Sequence, residues 1–331
     1  MDIKIQRDRL KNLLSYDWLK IILSIVAGVV VWSLLFTTLG TRATVGEEFV
    51  LNVYENVYTQ GSGKNDEILQ QLKNKDNGFS YDVLEARAAS ISSAGQYSAA
   101  YMLSLRMETQ EGDVMLISDG RAGEMTEGKD ATSAMQTVVN SRYLYNIQDL
   151  LNDAAFYCVS NKLITVDKDG NASLNESGVE EFFLNTRLKS AGNYRKTFRT
   201  EAQKREGAEL EKKRIEVLYS NYLYVSQAIE KAKLSGNDFL WYGELQKFDD
   251  DGNVIEGAGE IAPYGIDLYK LNALAKEGDL RVKDTWYTYA DGKTTAEGIV
   301  ACVFNFRNYQ ADLQYETLAF LRYLIETYSE Y

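Results

Sequence analysis

The sequence predicts an α/β domain held outside the cell by a single N-terminal transmembrane helix. Three observations lead to this fold class. Ile21–Leu39 is a run of nineteen residues without a charged side chain, which is long enough for a membrane span. Strand-like and helix-like patterns then alternate from Phe49 to Ile117, as they do in parallel sheets. Pro263 is the only proline in the chain, so no proline-rich linker divides the remaining residues into separate domains.

The composition excludes several classes of function. The chain has 331 residues, with 36 Lys and Arg against 48 Asp and Glu, two Cys and no His. Without His there is no Ser-His or Cys-His nucleophile pair and no His-ligated metal. Two Cys cannot form a Cys₄ zinc site. The net charge of −12 argues against a nucleic-acid partner. We therefore expect no metal, no cofactor and no enzymatic activity.

The apolar run Ile21–Leu39 predicts both an anchor and an orientation. At 1.5 Å per residue it spans about 28 Å, close to the thickness of the bilayer core. Arg42 is the only basic residue that closely follows the run, whereas five precede it: Lys4, Arg7, Arg9, Lys11 and Lys20. The positive-inside rule then places residues 1–20 in the cytoplasm as a short tail. We expect a single-pass cell-membrane protein whose bulk is extracytoplasmic.

A cleaved signal peptide is the alternative to an anchor. Its apolar region would be about 7–15 residues long and would end at a small-residue cleavage site. The run here is longer, and Thr41-Arg42-Ala43 is a poor cleavage site. No cysteine directly follows the run, which excludes a lipoprotein anchor. We expect an uncleaved signal anchor.

The first part of the domain alternates strand and helix, which predicts an open parallel sheet. Its expected elements are a strand Phe49–Glu55, a helix opened by Asn65, a strand Tyr81–Ala88, a helix opened by Ser92, Ser93 and Gly95, and a buried strand Val114–Ile117.

The remainder is expected to be richer in hairpins and helices. Its expected elements are a hairpin around Asp167–Asn171, a helix Gly178–Lys189, a long helix from Thr200 to Gly236 with an apolar stripe over Ile215–Ala232, a turn at Asp249–Asn253, a hairpin of Thr285–Ala290 with Thr294–Phe304, and a helix Ala311–Tyr328. The stripe is too short for a coiled-coil seam, so we expect that helix to pack on its own domain.

Several segments together resemble one known family. They are GDVMLISDG (Gly112–Gly120), the following ATSAMQTVVN, SRYLYNIQDLL (Ser141–Leu151), APYGIDLYK (Ala262–Lys270) and EGIVACVFNFRNYQADLQYETLAFLRYLIE (Glu297–Glu326). The chain resembles extracellular solute-binding proteins of the periplasmic-binding-protein-like type II fold, over Phe49–Leu151 and Thr285–Tyr331. It is similar to membrane-anchored, uncharacterised members from clostridial-type Gram-positive bacteria.

The resemblance implies two lobes and a binding role. Residues 46–152 would begin lobe 1, residues 153–284 would form lobe 2 with a helical insertion, and residues 285–331 would return to lobe 1. The implied function is non-catalytic recognition of a solute of the sugar or peptide class at the cell surface, beside an ABC transporter. The alternative is a membrane-anchored scaffold or assembly subunit with a degenerate cleft, exposing an apolar patch.

In such a fold the ligand approaches the carboxyl ends of the parallel strands, between the lobes. Candidate hydrogen-bonding residues at a helix N-terminus are Ser92, Ser93 and Tyr97, and candidate polar partners are Asp119 and Arg121. Trp241 and Trp286 would be stacking platforms for the ligand. Capping and packing are the structural alternatives for all seven residues.

Two further patterns admit simple structural explanations. Asp167, Asp169 and Asn171 match the first ligands of a calcium loop, and so does the run that starts at Asp249. Both runs lack the required glycine at the sixth position, so hairpin turns are expected instead. Cys158 and Cys302 lie among apolar neighbours, and the sequence leaves open whether they form a disulfide or stay free.

Overall fold

The computed structural model describes most of the chain, and it assigns the described residues to two units. The described residues are 18–39, 43, 47–59, 63–120, 131–168, 172–190, 192–273, 287–289, 297–306 and 313–330. One unit is Met1–Arg42 and the other is Ala43–Tyr331.

The first unit contains one helix, α1, which runs from Trp18 to Leu39. Apolar side chains in its middle, such as Ile22, Val26 and Val29, are exposed. Among the residues that the structure describes, no helix meets the combined length and apolarity needed to cross a membrane. The membrane anchor therefore stays a prediction.

The second unit is an α/β domain with ten described strands and ten described α-helices. The strands are β1 Glu48–Tyr54, β2 Val57–Thr59, β3 Glu85–Ile91, β4 Val114–Ser118, β5 Ile164–Val166, β6 Ala172–Leu174, β7 Leu240–Leu245, β8 Glu260–Asp267, β9 Tyr287–Tyr289 and β10 Ile299–Val303. The helices are α2 Lys64–Lys73, α3 Ala99–Thr109, α4 Ala131–Asn140, α5 Ile147–Ser160, α6 Glu176–Phe182, α7 Leu188–Ser190, α8 Gly192–Thr197, α9 Glu201–Leu234, α10 Leu268–Ala273 and α11 Thr317–Tyr328. A π-helical turn, Phe183–Arg187, joins α6 to α7.

A six-stranded sheet in the order β3-β1-β4-β10-β8-β7 organises the domain. Strand β1 pairs in parallel with β3 and with β4. Strand β10 is antiparallel to both neighbours, β4 and β8, and β7 is antiparallel to β8. The sheet is therefore mixed, and parallel pairing is found between β1 and its two neighbours, β3 and β4.

Apolar side chains cover both faces of the sheet. One face packs under α2, α5, α9, α10 and α11, with Leu51, Leu116, Ala301 and Ile325 in its core. The other face packs under α3 and α4, with Met115, Ile117 and Cys302 in its core. Strands β4 and β10 are wholly buried, which explains why they read as uninterrupted apolar runs.

Several predicted elements are confirmed. Strands β1 and β4, the β5–β6 hairpin and helix α9 lie where the sequence places them, and α11 ends at the predicted Tyr328 but begins at Thr317, after a 3₁₀ turn Leu313–Glu316. Helix α9 begins at a capping box, in which the Thr200 hydroxyl accepts from the Gln203 N–H at 3.2 Å and the Gln203 side chain accepts from the Thr200 N–H at 3.0 Å. The predicted turn at Asp249–Asn253 is also present, since the Asp249 N–H donates to the Asn253 carbonyl at 2.9 Å.

Three predicted boundaries are wrong. The second strand runs over Glu85–Ile91 rather than Tyr81–Ala88, because Tyr81 and Asp82 turn inward to a cluster of charged side chains. Helix α2 begins after Gly63, whose left-handed backbone (φ 77°) precedes the first turn, and Asn65 lies inside it. Helix α3 begins at Ala99 and is capped by Ser98, so Ser92 and Gly95 precede it.

The predicted hairpin of Thr285–Ala290 with Thr294–Phe304 is wrong as well. Strand β9 pairs with β2, whereas β10 pairs with β4 and β8. An Asp-Gly turn signal does not specify the strand partner, and the apolar run of β10 favours a position between two strands. Strands β7 and β8, from the segment assigned to lobe 2, join the same sheet as β1 and β4. The division into two lobes stays a prediction.

Candidate functional site

Two of the predicted site residues meet at one edge of the sheet. Asp119 directly follows β4, and Trp241 is the second residue of β7. The indole Nε1–H of Trp241 donates to Asp119 Oδ2 at 2.9 Å. The carboxylate and the indole therefore bind each other, and the Trp241 ring packs against the core on the α4 face of the sheet.

Ser93 is also engaged by neighbouring residues. Its hydroxyl donates to Glu55 Oε2 at 3.0 Å and accepts from the Ala99 N–H at 3.2 Å. It therefore supports the start of α3, which is the capping role that the sequence offers as an alternative. Ser92 is exposed beside it.

Of the remaining predicted ligand contacts, the structure describes Tyr97. Tyr97 is 46% exposed and stacks on Tyr101, with ring centroids 5.0 Å apart. Arg121 and Trp286 lie outside the described residues. All seven predicted site residues remain predictions.

Four charged side chains meet in the interior, and the sequence reasoning missed them. We call Asp82, Arg187, Glu211 and Arg214 the buried charge cluster; each side chain is at most 1% exposed. Arg187 pairs with Asp82, and Arg214 Nη2 donates to Glu211 Oε1 at 2.7 Å. The second acid lies near each cation, with Arg187 Nε 3.6 Å from Glu211 and Arg214 Nε 3.5 Å from Asp82.

Tyrosine hydroxyls complete the buried charge cluster. Tyr81 donates to Glu211 Oε2 at 2.8 Å, and Arg214 Nη2 donates to the Tyr157 hydroxyl at 2.9 Å. Burial raises the pKa of Glu211, but the two guanidinium groups outweigh this effect and hold the pKa below its ordinary value. The cluster is closed to solvent, so its role is structural. The sequence gives one indication of this cluster. Arg214 lies four residues before Leu218, so a charged residue shares the helix face of the apolar stripe.

An open pocket with charged walls lies at the opposite edge of the sheet, where β8 begins and β10 ends. We call it the tyrosine pocket; its volume is about 530 Å³, within the usual range for small-molecule sites. It is lined by Val139, Arg142, Leu144, Tyr145, Asn146, Asp149, Asp153, Leu245, Gln246, Lys247, Glu260, Tyr264 and Asn305.

The tyrosine pocket combines two buried aromatic rings with an exposed charged rim. Tyr145 and Tyr264 are nearly buried, and the Tyr145 hydroxyl donates to Asp153 Oδ2 at 3.0 Å. Burial raises the pKa of Tyr264, the charges of Glu260 and Asp149 raise it further, and Arg142 lowers it. The Tyr264 hydroxyl is thus within electrostatic reach of charges of both signs.

The sequence does not predict this pocket, because the site expected from the sequence lies at the carboxyl ends of the parallel strands. The residues come from the α4–α5 connection, α5, and the hairpin that joins β7 to β8, which are distant in the chain. The left-handed backbone of Arg142, with φ 61° after α4, is visible only in the folded chain.

A second groove, of about 410 Å³, lies along α9 between the β5–β6 hairpin and α11. Its cation is already used by neighbouring groups. Arg322 lies over the Tyr224 ring at 4.6 Å and donates to Ser220 at 3.0 Å and to Glu326 at 2.6 Å. We therefore favour the tyrosine pocket as the candidate binding site.

The structure bears on two alternatives left by the sequence: whether the two cysteines are paired, and whether the Asp-rich runs are turns or calcium loops. Cys158 and Cys302 are buried free thiols, and burial raises the pKa of Cys158 to about 12. Asp249 Oδ1 accepts from the Asn253 N–H at 2.7 Å within a turn. In the described part of the chain, no group of three or more acidic or Cys side chains could hold a metal ion. Asp169 and Asn171 lie outside the described residues.

Comparisons of the chain with protein-family models, curated proteins and solved structures find no match. The resemblance to solute-binding proteins therefore rests on short segments of the sequence, such as Gly112–Gly120 and Glu297–Glu326.

Proposed function

We propose that the domain recognises a small polar solute in the tyrosine pocket and does not transform it. One observation supports this function above the others. The pocket is open, of the right volume, and brings aromatic rings together with charges of both signs. A concave site with a few convergent polar groups is the usual form of a ligand site. The resemblance to extracellular solute-binding proteins points to the same function.

The proposal includes a location at the cell surface. Helix α1 covers the whole uncharged run Ile21–Leu39, and the basic residues before this run favour a cytoplasmic N-terminus. The domain would then meet solutes outside the cell, beside an ABC transporter. A two-lobed type II architecture is the finer form of this proposal, and the antiparallel pairing of β10 with β4 supports a return of the chain to its first part.

The test is a thermal unfolding screen of the full chain in detergent against sugars, amino acids, short peptides and metal ions. A solute present at 100 times its dissociation constant should add about 2.7 kcal/mol of stability. We expect a shift with one solute class, and we expect Tyr264→Phe to reduce it. Tyr269→Phe, which changes an exposed tyrosine outside the pocket lining, is the matched control. A panel without any shift would contradict the proposal.

A scaffold role is the second candidate, and a separate surface favours it. The β7–β8 hairpin exposes several large apolar side chains, which are Tyr242, Phe248, Val254, Ile255 and Ile261. Exposed apolar patches commonly mark protein interaction sites. In this case the chain would migrate in a larger membrane assembly on native gels. Phe248→Ser with Ile261→Ser would release it, and Phe156→Ser, which removes an exposed ring on α5, would not.

A further inference from the structure

We infer that the tyrosine pocket takes a zwitterionic solute, an amino acid or short peptide with a free ammonium and a free carboxylate. This inference rests on the proposed function and names the class of its ligand. The ammonium would lie between Asp149 and Glu260, and the carboxylate would bind Arg142.

Charges of both signs line the pocket, and in the part of the chain that the structure describes they do not pair with one another. Arg142, Lys247, Asp149 and Glu260 all line it. Across the described residues, no side-chain hydrogen bond or ion pair involves any of these four. Opposite charges that face one cavity without contact leave their hydrogen-bonding capacity to water or to a ligand. Charge-assisted hydrogen bonds to such groups are among the strongest that a ligand can form.

The negative and positive side chains of the pocket are nearly equal in number. Three carboxylates and two cations line the pocket, and Asp153 accepts from Tyr145 at 3.0 Å. The Tyr145 hydroxyl is neutral, so Asp153 keeps its charge, and the lining side chains carry three negative charges against two positive ones. A polyamine would place positive charge next to both cations of the pocket. A dianion would place negative charge next to the three acids. A solute with one charge of each sign matches the pocket best.

Tyr264 lines the pocket together with these charged side chains. Its side chain is 9% exposed and faces the pocket, and none of the hydrogen bonds between described residues involves its hydroxyl. Charges of both signs act on that hydroxyl, from Glu260 and Asp149 on one side and Arg142 on the other. A tyrosine hydroxyl can donate to a carboxylate, and its ring can face an ammonium group.

Arg142 has a left-handed backbone. This residue follows α4 with φ 61°, and its N–H donates to the Val139 carbonyl at 3.2 Å. Residues other than glycine rarely adopt this conformation, and glycine is the usual choice after a helix. Gln110 and Lys162 have the same conformation after other helices, and of the three only Arg142 lines the tyrosine pocket.

The same backbone feature supplies a test in which the variant should fold. Arg142→Gly removes the guanidinium and relieves the left-handed strain, so the unfolding temperature should not fall. Lys162→Gly is the matched control, because Lys162 has φ 57°, also follows a helix, and lies outside the pocket lining. Both variants are made in the full chain in detergent.

The probes are a pool of zwitterionic dipeptides, the same dipeptides acetylated and amidated at their ends, and glucose with maltose. Binding is measured by calorimetric titration. We expect the free dipeptides to bind, end capping to weaken binding at least tenfold, Arg142→Gly to weaken it at least tenfold, and Lys162→Gly to leave it unchanged.

The outcomes separate the two proposals. Equal binding of free and capped dipeptides, or unchanged affinity in Arg142→Gly, would overturn the inference that the solute is zwitterionic. Binding of the sugars alone, with loss in Tyr264→Phe, would overturn it and leave the proposed function intact. No binding of any probe to the wild-type chain would overturn both.

Discussion

At the scale of single residues, the contact between Trp241 and Asp119 ties the start of β7 to the end of β4. The two residues are 122 positions apart in the chain, and their contact is one hydrogen bond of 2.9 Å. The bond crosses the sheet at the edge where we expected a ligand. A side chain that satisfies its neighbour is less available to a solute, so here the structure favours a stabilising role.

Trp241→Phe should therefore destabilise the domain by about 1 kcal/mol, because it removes the donor and keeps most of the ring. Solute binding in the tyrosine pocket should not change. Urea unfolding of the full chain measures the first quantity and titration the second. A loss of binding without a loss of stability would return Trp241 to the ligand site.

The buried charge cluster is expected to contribute more to the free energy of unfolding than the Trp241–Asp119 hydrogen bond does. This contribution depends on all four of its residues. Arg214→Met leaves the carboxylates of Asp82 and Glu211 buried with one guanidinium instead of two. We expect a loss of about 3–5 kcal/mol in the free energy of unfolding. Lys204→Met removes a surface cation 2.7 Å from Glu201, and should change stability little because water screens an exposed pair. Similar losses in the two variants would contradict the assigned role.

Glu211 also predicts how stability depends on pH. Its pKa is held below the ordinary value of 4.5 in the folded state, so folding favours the ionised carboxylate. Its contribution is complete above pH 4.5 and is lost as the pH falls through the folded pKa. In Glu211→Gln this component of the acid dependence should disappear, which urea unfolding at pH 3 to 7 would detect. An acid dependence of stability that is the same in Glu211→Gln and in the wild-type chain would contradict the role assigned to Glu211.

At the scale of elements, the 34-residue helix α9 shows how packing can override helix propensity. Gly207 lies in its second turn, where glycine disfavours a helix. A Cβ at this position would lie 2.3 Å from the Phe183 ring and 3.0 Å from the Phe198 ring. The absence of a side chain therefore lets two aromatic rings pack on the helix.

Gly207→Ala should destabilise the domain by about 1–3 kcal/mol despite the better helix propensity of alanine, because it overpacks a buried site. Gly236, just after α9, is a useful comparison because a Cβ there would meet nothing within 4 Å. Its backbone is left-handed, at φ 76°, so Gly236→Ala tests backbone strain alone. Stabilisation by Gly207→Ala in thermal unfolding would contradict the packing argument.

The elements also show what a sequence can specify. Strands β4 and β10 and helix α9 were predictable because a buried strand is a continuous apolar run and a packed helix has an apolar stripe. The strands that pair with β10 were not predictable, because a turn signal depends on neighbouring residues whereas strand pairing depends on residues that are distant in the chain. The tyrosine pocket was beyond prediction for the same reason: Arg142, Asp149 and Glu260 meet only after β10 and β8 have joined the sheet.

At the scale of the whole molecule, we propose that a membrane anchor holds a solute-binding domain at the cell surface. Deletion of residues 1–39 should release the chain from membranes into the soluble fraction, because it removes the uncharged run. Protease added outside intact cells should digest the domain of the full-length chain. Protection from protease, with digestion only after lysis, would reverse the proposed orientation.

The most direct test of solute recognition is amide hydrogen exchange of the full chain in detergent, with and without a pooled panel of sugars, amino acids and dipeptides. If the domain binds a solute in the tyrosine pocket, exchange should slow in residues 142–153 and 245–264, and this change should be lost in Tyr264→Phe. No change in any segment, or slowing confined to residues 92–97 and 119, would contradict the central claim.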